Sequence, residues 1–204
     1  KEQRRMADKL QSIETIGSID NSPTDKPSDP VQAEYEEGKR FLENQEYGQA
    51  AVSLHNALVG FQEKNDEAGI ANASNQLGHV CLGRKEYESA LNHYRLALDI
   101  CEKANDRMSI LAVLKKIVEV HKGLQEYDKA VNVCLDLLDH YHDNRDPQGT
   151  VTTMEEMAEI YLKSGKNEKA ADTYRTIASI HKNFKHDNIA AGFMKKAEQL
   201  TGAS

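Results

Sequence analysis

The chain repeats a local pattern at a fixed spacing of 40 residues. Glu46-Tyr47-x-x-Ala50 recurs as Glu86-Tyr87-x-x-Ala90, as Glu126-Tyr127-x-x-Ala130 and, more loosely, as Lys166-Asn167-x-x-Ala170. The register extends further. Ala57 is matched by Ala97, Leu137 and Ile177, and Leu54 by Tyr94, Cys134 and Tyr174. A period of this length marks a stacked array of supersecondary units. No single unit can bury its own apolar face, so each neighbour supplies part of the core. Such a chain is constrained to an extended array, which offers a long surface rather than a closed pocket.

Within each period the apolar spacing predicts two helices. The first runs over about 30–44, 67–83, 107–123 and 147–163, and the second over about 47–64, 87–104, 127–143 and 167–184. Asp66, Asp106 and Asp146 precede the first helix at the same phase. Their carboxylates are suited to accept hydrogen bonds from first-turn N–H groups. Asp29-Pro30 and Asp146-Pro147 add a proline at the first helical position. At the last boundary His186 takes the Asp position, and Asp187 follows. Gly83, Gly123 and Gly165 lie where the first helix turns into the second, a place that often needs a left-handed backbone. Ile189, Phe193, Ala197 and Leu200 are expected to form the inward face of a capping helix over 187–200.

Ahead of the array, residues 21–30 contain three of the four prolines and exclude a helix there. Met6, Leu10, Ile13 and Ile16 form one apolar helical stripe before it. The expected organisation is an arm and linker over 1–29, followed by an array over 30–204. Its units span about 30–66, 67–106, 107–146 and 147–186, with the capping helix behind them. The chain opens on Lys1, so removal of something upstream is expected.

These residues resemble the tetratricopeptide repeat family. The second unit carries Leu77-Gly78 and then Ala90-x-x-x-Tyr94 and Ala97, which fits that family's motif. The first offers Gly38, Phe41, Ala50, Leu54 and Ala57, and the fourth Ala158, Tyr161, Gly165, Ala170 and Tyr174. The third departs most, with Val118 at the small position and His121 at the aromatic one. Val118 is expected to push its two helices apart and to mark the largest deviation of the superhelix. The family's usual unit is about 34 residues. The longer period is similar to the subclass found in spindle-orientation adaptors and peptide-responsive bacterial regulators. The resemblance implies an all-α fold, a right-handed superhelical α-solenoid of antiparallel helix pairs.

It also implies a function: a non-catalytic interaction scaffold that holds a peptide or helical segment in a concave groove lined by the first helix of each unit. Carried over by position, the groove would present Tyr35 and Lys39, then Asn72, Asn75 and His79, then Lys115, Glu119 and Lys122, then Glu155 and Glu159. The family's clamp for a carboxylate tail is not expected, because its positions hold Tyr35, Lys39, Gln76, Ala112 and Lys116. Two alternatives stay open: a self-associating structural protein joined through the arm, and a peptide-responsive regulator.

Composition narrows the classes further. A formal net charge of −7 with no long basic stripe argues against nucleic acid as a partner. No apolar run approaches the roughly 20 residues of a membrane helix. Cys81, Cys101 and Cys134 lack metal-ligand spacing and read as buried thiols of a reducing compartment, so the cytoplasm is expected. His140 and His142 point about 200° apart on a helix, and His55, His93 and His181 show no ligand spacing, so no metal is expected. No phosphate loop or nucleophile motif stands in the chain, and neither a cofactor nor catalytic residues are expected.

Overall fold

The computed structural model describes residues 29–202. The arm with Met6, Leu10, Ile13 and Ile16 lies outside them. Nine helices follow one another in the described residues: α1 (Pro30–Glu43), α2 (Tyr47–Glu63), α3 (Glu67–Gly83), α4 (Tyr87–Lys103), α5 (Arg107–Gly123), α6 (Tyr127–Asp143), α7 (Pro147–Lys163), α8 (Asn167–Asn183) and α9 (Asp187–Thr201). Each packs chiefly on the helices before and after it. The fold is an all-α solenoid of helix pairs, and from the second pair onward the pairs start one period apart.

The turns are built alike. Gln45, Asn65, Lys85, Asn105, Gln125, Arg145, Gly165 and Lys185 stand 20 residues apart, and each has a φ between 53° and 73°. The N–H of the next residue reaches back to the carbonyl five residues earlier at 2.8–2.9 Å, from Glu46 to Phe41 through His186 to His181. This pair of features closes a helix in the Schellman manner and satisfies its free carbonyls. The closing residue is also the cap of the next helix, so the turn contains no spare residue. Where that cap is Asp66, Asp106 or Asp146, its carboxylate accepts from the N–H of Gly69, Ser109 or Gly149 at 2.9–3.2 Å. Asp29 does the same for Val31. His186 makes no such bond to α9.

The expectation of a left-handed glycine holds only at Gly165. Gly83 and Gly123 are instead the last residues of α3 and α5. A Cβ on them would stand 2.5 Å and 2.3 Å from the rings of Tyr47 and Tyr87. These glycines make room for the aromatic that opens the second helix of the preceding unit.

Small residues also set how closely paired helices approach. A Cβ on Gly38 would meet Leu54 at 2.6 Å, and one on Gly78 the Tyr94 ring at 2.6 Å. Val118 and Ala158 fill the equivalent positions, and α5/α6 and α7/α8 pack less closely than α1/α2 and α3/α4. The widening expected at Val118 is therefore present, but the fourth unit shares it. Size is also exchanged across the unit boundaries. Gly69 lies against the Phe61 ring and Gly149 against the Tyr141 ring, while Ser109 faces the smaller Cys101.

At the C-terminal end, α9 turns Ala190, Phe193 and Ala197 inward. Ile189, expected on that face, is 49% exposed, and Ala190 takes its place. Charge marks the same end. Glu198 stands at the phase of Gly38, Gly78, Val118 and Ala158, where a second helix would need a small residue.

Candidate functional site

Along the first helices of the units, side chains from successive units meet in sequence. Tyr35 on α1 packs edge-on to Phe61 at 6.1 Å, with Lys39 over its ring at 5.3 Å. It is a half-buried side chain, and burial raises its hydroxyl pKa above the ordinary value. On α3, Asn72 is exposed and Asn75 half-buried. His79 is tied to the core: its Nδ1 lies 2.8 Å from the Tyr94 hydroxyl. Burial drives the Tyr94 pKa far upward, so the phenol keeps its proton and donates. Burial also lowers the His79 pKa and holds the ring neutral, with Lys116 adding to the effect. Nε2–H is then its free donor.

Lys115, Glu119 and Lys122 of α5 come together at the rim of a cavity of about 680 Å³ between α5 and α7. Leu137 and Tyr141 of α6 form its floor, and Thr152 and Glu156 of α7 its far wall. Lys122 Nζ donates to Glu156 Oε1 at 2.9 Å across the cavity. Burial works against the charged ammonium, but the bond to Glu156 and the charges of Glu156 and Glu159 outweigh it and raise the Lys122 pKa. Lys116 pairs with Glu119 at 3.0 Å. Lys115 lies over the Tyr141 ring at 5.7 Å and, among the described residues, has no carboxylate within bonding reach. It is the unneutralised cation of the cavity.

Of the remaining sequence expectations, Glu155 and Glu159 are exposed and stay out of the cavity wall. Both lie close enough to Tyr174 to raise its pKa, after burial as the main cause. Glu156, their neighbour, is the carboxylate that faces α5. Sequence spacing missed Glu156, because Glu155 and Glu159 keep the family's phase while the bond to Lys122 selects the adjacent position. It also missed the floor. Leu137 and Tyr141 belong to a second helix, and only the separation of α5 from α7 opens a cavity over them.

Residues 153–187 match the model of the tetratricopeptide repeat family. The solved structures that resemble the whole solenoid carry the same kind of repeat. One is the putative kinesin light chain repeats of Podosopora anserina, 13% identical with a TM-score of 0.68, aligned over 86% of this chain and 90% of that one. The fold is therefore that of a tetratricopeptide-like solenoid. The tetratricopeptide fold is also that of two Rap structures. Apo RapI is 16% identical with a TM-score of 0.64, over 85% of this chain. A Rap protein complexed with Competence and Sporulation Factor is 16% identical with a TM-score of 0.60, over 86% of this chain. The solenoid spans 66% and 50% of those two chains. No curated protein sequence matches this chain.

Proposed function

We propose that the chain is a non-catalytic protein-interaction scaffold that receives a partner segment along the first helices of its units. One observation carries this reading. The α5–α7 cavity is open to solvent, with charged side chains set over an apolar lining, and it holds one cation, Lys115, that no carboxylate of the described residues neutralises. A partner carboxylate placed there gains a charge-assisted bond that no carboxylate among the described residues competes for. Tyr141 supplies an aromatic floor for the adjoining side chain. The half-buried Asn75 and the neutral His79 extend the same surface with amide and imidazole donors suited to peptide backbone.

The fold similarity supports a binding role in general, and the Rap structure solved with Competence and Sporulation Factor supports a second reading, a ligand-responsive regulator. Small-angle scattering separates the two. A regulator changes its radius of gyration when its ligand binds, whereas a rigid scaffold keeps it.

The groove itself is tested by selecting peptides from a displayed library against the full chain. The selected peptides are then titrated against the wild type, Lys115→Ala, Asn75→Ala, and a control on the outer face of α6, Leu135→Ala. The expected result is a loss of about tenfold for Lys115→Ala, the scale of one charge-assisted hydrogen bond, with the control unchanged. Equal affinity across all four proteins removes the groove from the account.

A further inference from the structure

The α5–α7 cavity has a counterpart two periods earlier in the chain, and there a ring covers the floor. Tyr141 and Gly149 stand at the phase of Phe61 and Gly69. The two floor rings are seated alike: a Cβ on Gly69 would stand 2.3 Å from Phe61, and one on Gly149 2.2 Å from Tyr141. Over Phe61 lies Tyr35, edge-on at 6.1 Å, with Lys39 above its own ring and the Gln76 side chain beside its hydroxyl. Two periods on, Lys115 takes the place of Tyr35, and Glu156 that of Gln76. The third unit thus keeps the aromatic floor and the acceptor, but a flexible lysine stem replaces the covering ring.

We propose that this cavity is a subsite for a tyrosine side chain of the bound partner, its ring edge-on to Tyr141 and its hydroxyl donating to the Glu156 carboxylate. The inference rests on the groove reading above and names the side chain that the groove recognises. The first unit is the template: a phenol with an aromatic ring beneath it and a side chain of the next unit's first helix at its hydroxyl. Edge-to-face aromatic pairs stabilise beyond the area they bury. Glu156 accepts from Lys122 through Oε1, and among the described residues no bond is made to Oε2. A phenol that donates to a carboxylate makes a charge-assisted bond, which the neutral amide of Gln76 cannot offer Tyr35.

Space and charge fit that occupant. The cavity of about 680 Å³ has room for a phenol ring, and Leu137 extends the apolar floor where the first unit has Ala57. Lys115 must lift off Tyr141 to admit the ring. Among the described residues it is held there by a cation–π contact at 5.7 Å and by no ion pair. Such a contact is weak at a solvent-exposed site, so little opposes the movement. At the rim its ammonium then lies over the incoming ring, as Lys39 lies over Tyr35, and meets a carboxylate next to the tyrosine.

The probe is N-acetyl-L-tyrosine, which carries a phenol and a neighbouring carboxylate in one molecule. It is titrated by NMR into the isotope-labelled full chain, beside N-acetyl-L-phenylalanine and N-acetyl-L-leucine. The expected result is saturable binding that shifts the amides of Tyr141, Gly149 and Glu156, weakened about tenfold without the hydroxyl and further without the ring. Glu156→Ala is expected to bind the tyrosine and phenylalanine probes equally. Lys115→Tyr rebuilds the cover of the first unit and is expected to lose the probe and to melt at a higher temperature. Circular dichroism checks that both variants fold. Absence of saturable shifts, equal binding of the tyrosine and phenylalanine probes to the wild type, or a Lys115→Tyr protein that binds as the wild type does, overturns the subsite. If the library-selected peptides still lose affinity in Lys115→Ala, the groove reading survives that failure; if they do not, both fall.

Discussion

His121 Nδ1 lies 2.8 Å from Glu126 Oε2, although five residues and a change of helix direction separate them. His121 is the last inward residue of α5 and is 4% exposed. Glu126 closes the turn and caps α6. The divergent histidine of the third unit thus exchanges aromatic packing for a bond to the cap carboxylate. The expected outcome for His121→Ala is a destabilisation of about 2–4 kcal/mol from the lost packing and the lost hydrogen bond. His121→Phe, which restores an aromatic ring, is expected to cost less. Urea unfolding of the three proteins checks the order.

Glycine at the closest helix crossing gives a second prediction. Gly78→Ala drives a methyl group into the Tyr94 ring and must separate α3 from α4. The expected loss is about 1–3 kcal/mol, the usual scale of overpacking. Gly48→Ala is the control, since a Cβ there meets nothing within 4 Å and Ala is the better helix former. Thermal unfolding should place Gly78→Ala below the wild type and Gly48→Ala at or above it.

The left-handed positions give a third. Lys85→Gly relieves a side chain at φ 60° and is expected to stabilise by up to about 1 kcal/mol. Gly165→Ala imposes one and is expected to cost about 1 kcal/mol. Opposite signs in denaturant midpoint for these two substitutions are the reading to look for.

Acid should weaken the fold in two stages. Burial holds the pKa values of His79 and His93 below the ordinary histidine value of about 6.5. The unfolded chain therefore takes up these protons first. The stability that the neutral rings contribute is present above about pH 6.5 and is lost as pH falls through their folded values. The carboxylates follow. The Glu126 pKa is depressed by bonds from Lys129 and His121, Asp128 by Lys166, and Asp106 by Ser109. Their contribution is present above the ordinary carboxylate range and disappears as pH falls through the depressed values. Unfolding midpoints from pH 7.5 to 3 should fall from about 6.5 downward and more steeply below about 4.5. His79→Gln should remove part of the first stage only.

Much of the architecture was legible because it is written in residue types. Repeated aspartates and phased apolar positions place the helices within a residue of their ends, since caps and amphipathic faces depend on local chemistry. The turns were harder to read. Seven of the eight left-handed positions carry Gln, Asn, Lys or Arg, and geometry shared by every junction holds them there instead of glycine. Ile189 was misplaced because Ala190 and Phe193 are the residues that α9 turns inward, which rotates Ile189 toward solvent. In the groove, the α5 lysines could be read from phase. Glu156 and Tyr141 could not, since their roles arise from contacts between units.

The turns also impose a rule on length. Each closes one helix and caps the next with the same residue, so an added or deleted residue cannot be absorbed there. A single residue inserted in a helix would rotate all that follows by about 100° relative to all that precedes and swing the apolar face at that point toward water. The fold therefore has a reading frame of 20 residues, and changes that preserve it come as whole helix-turn modules.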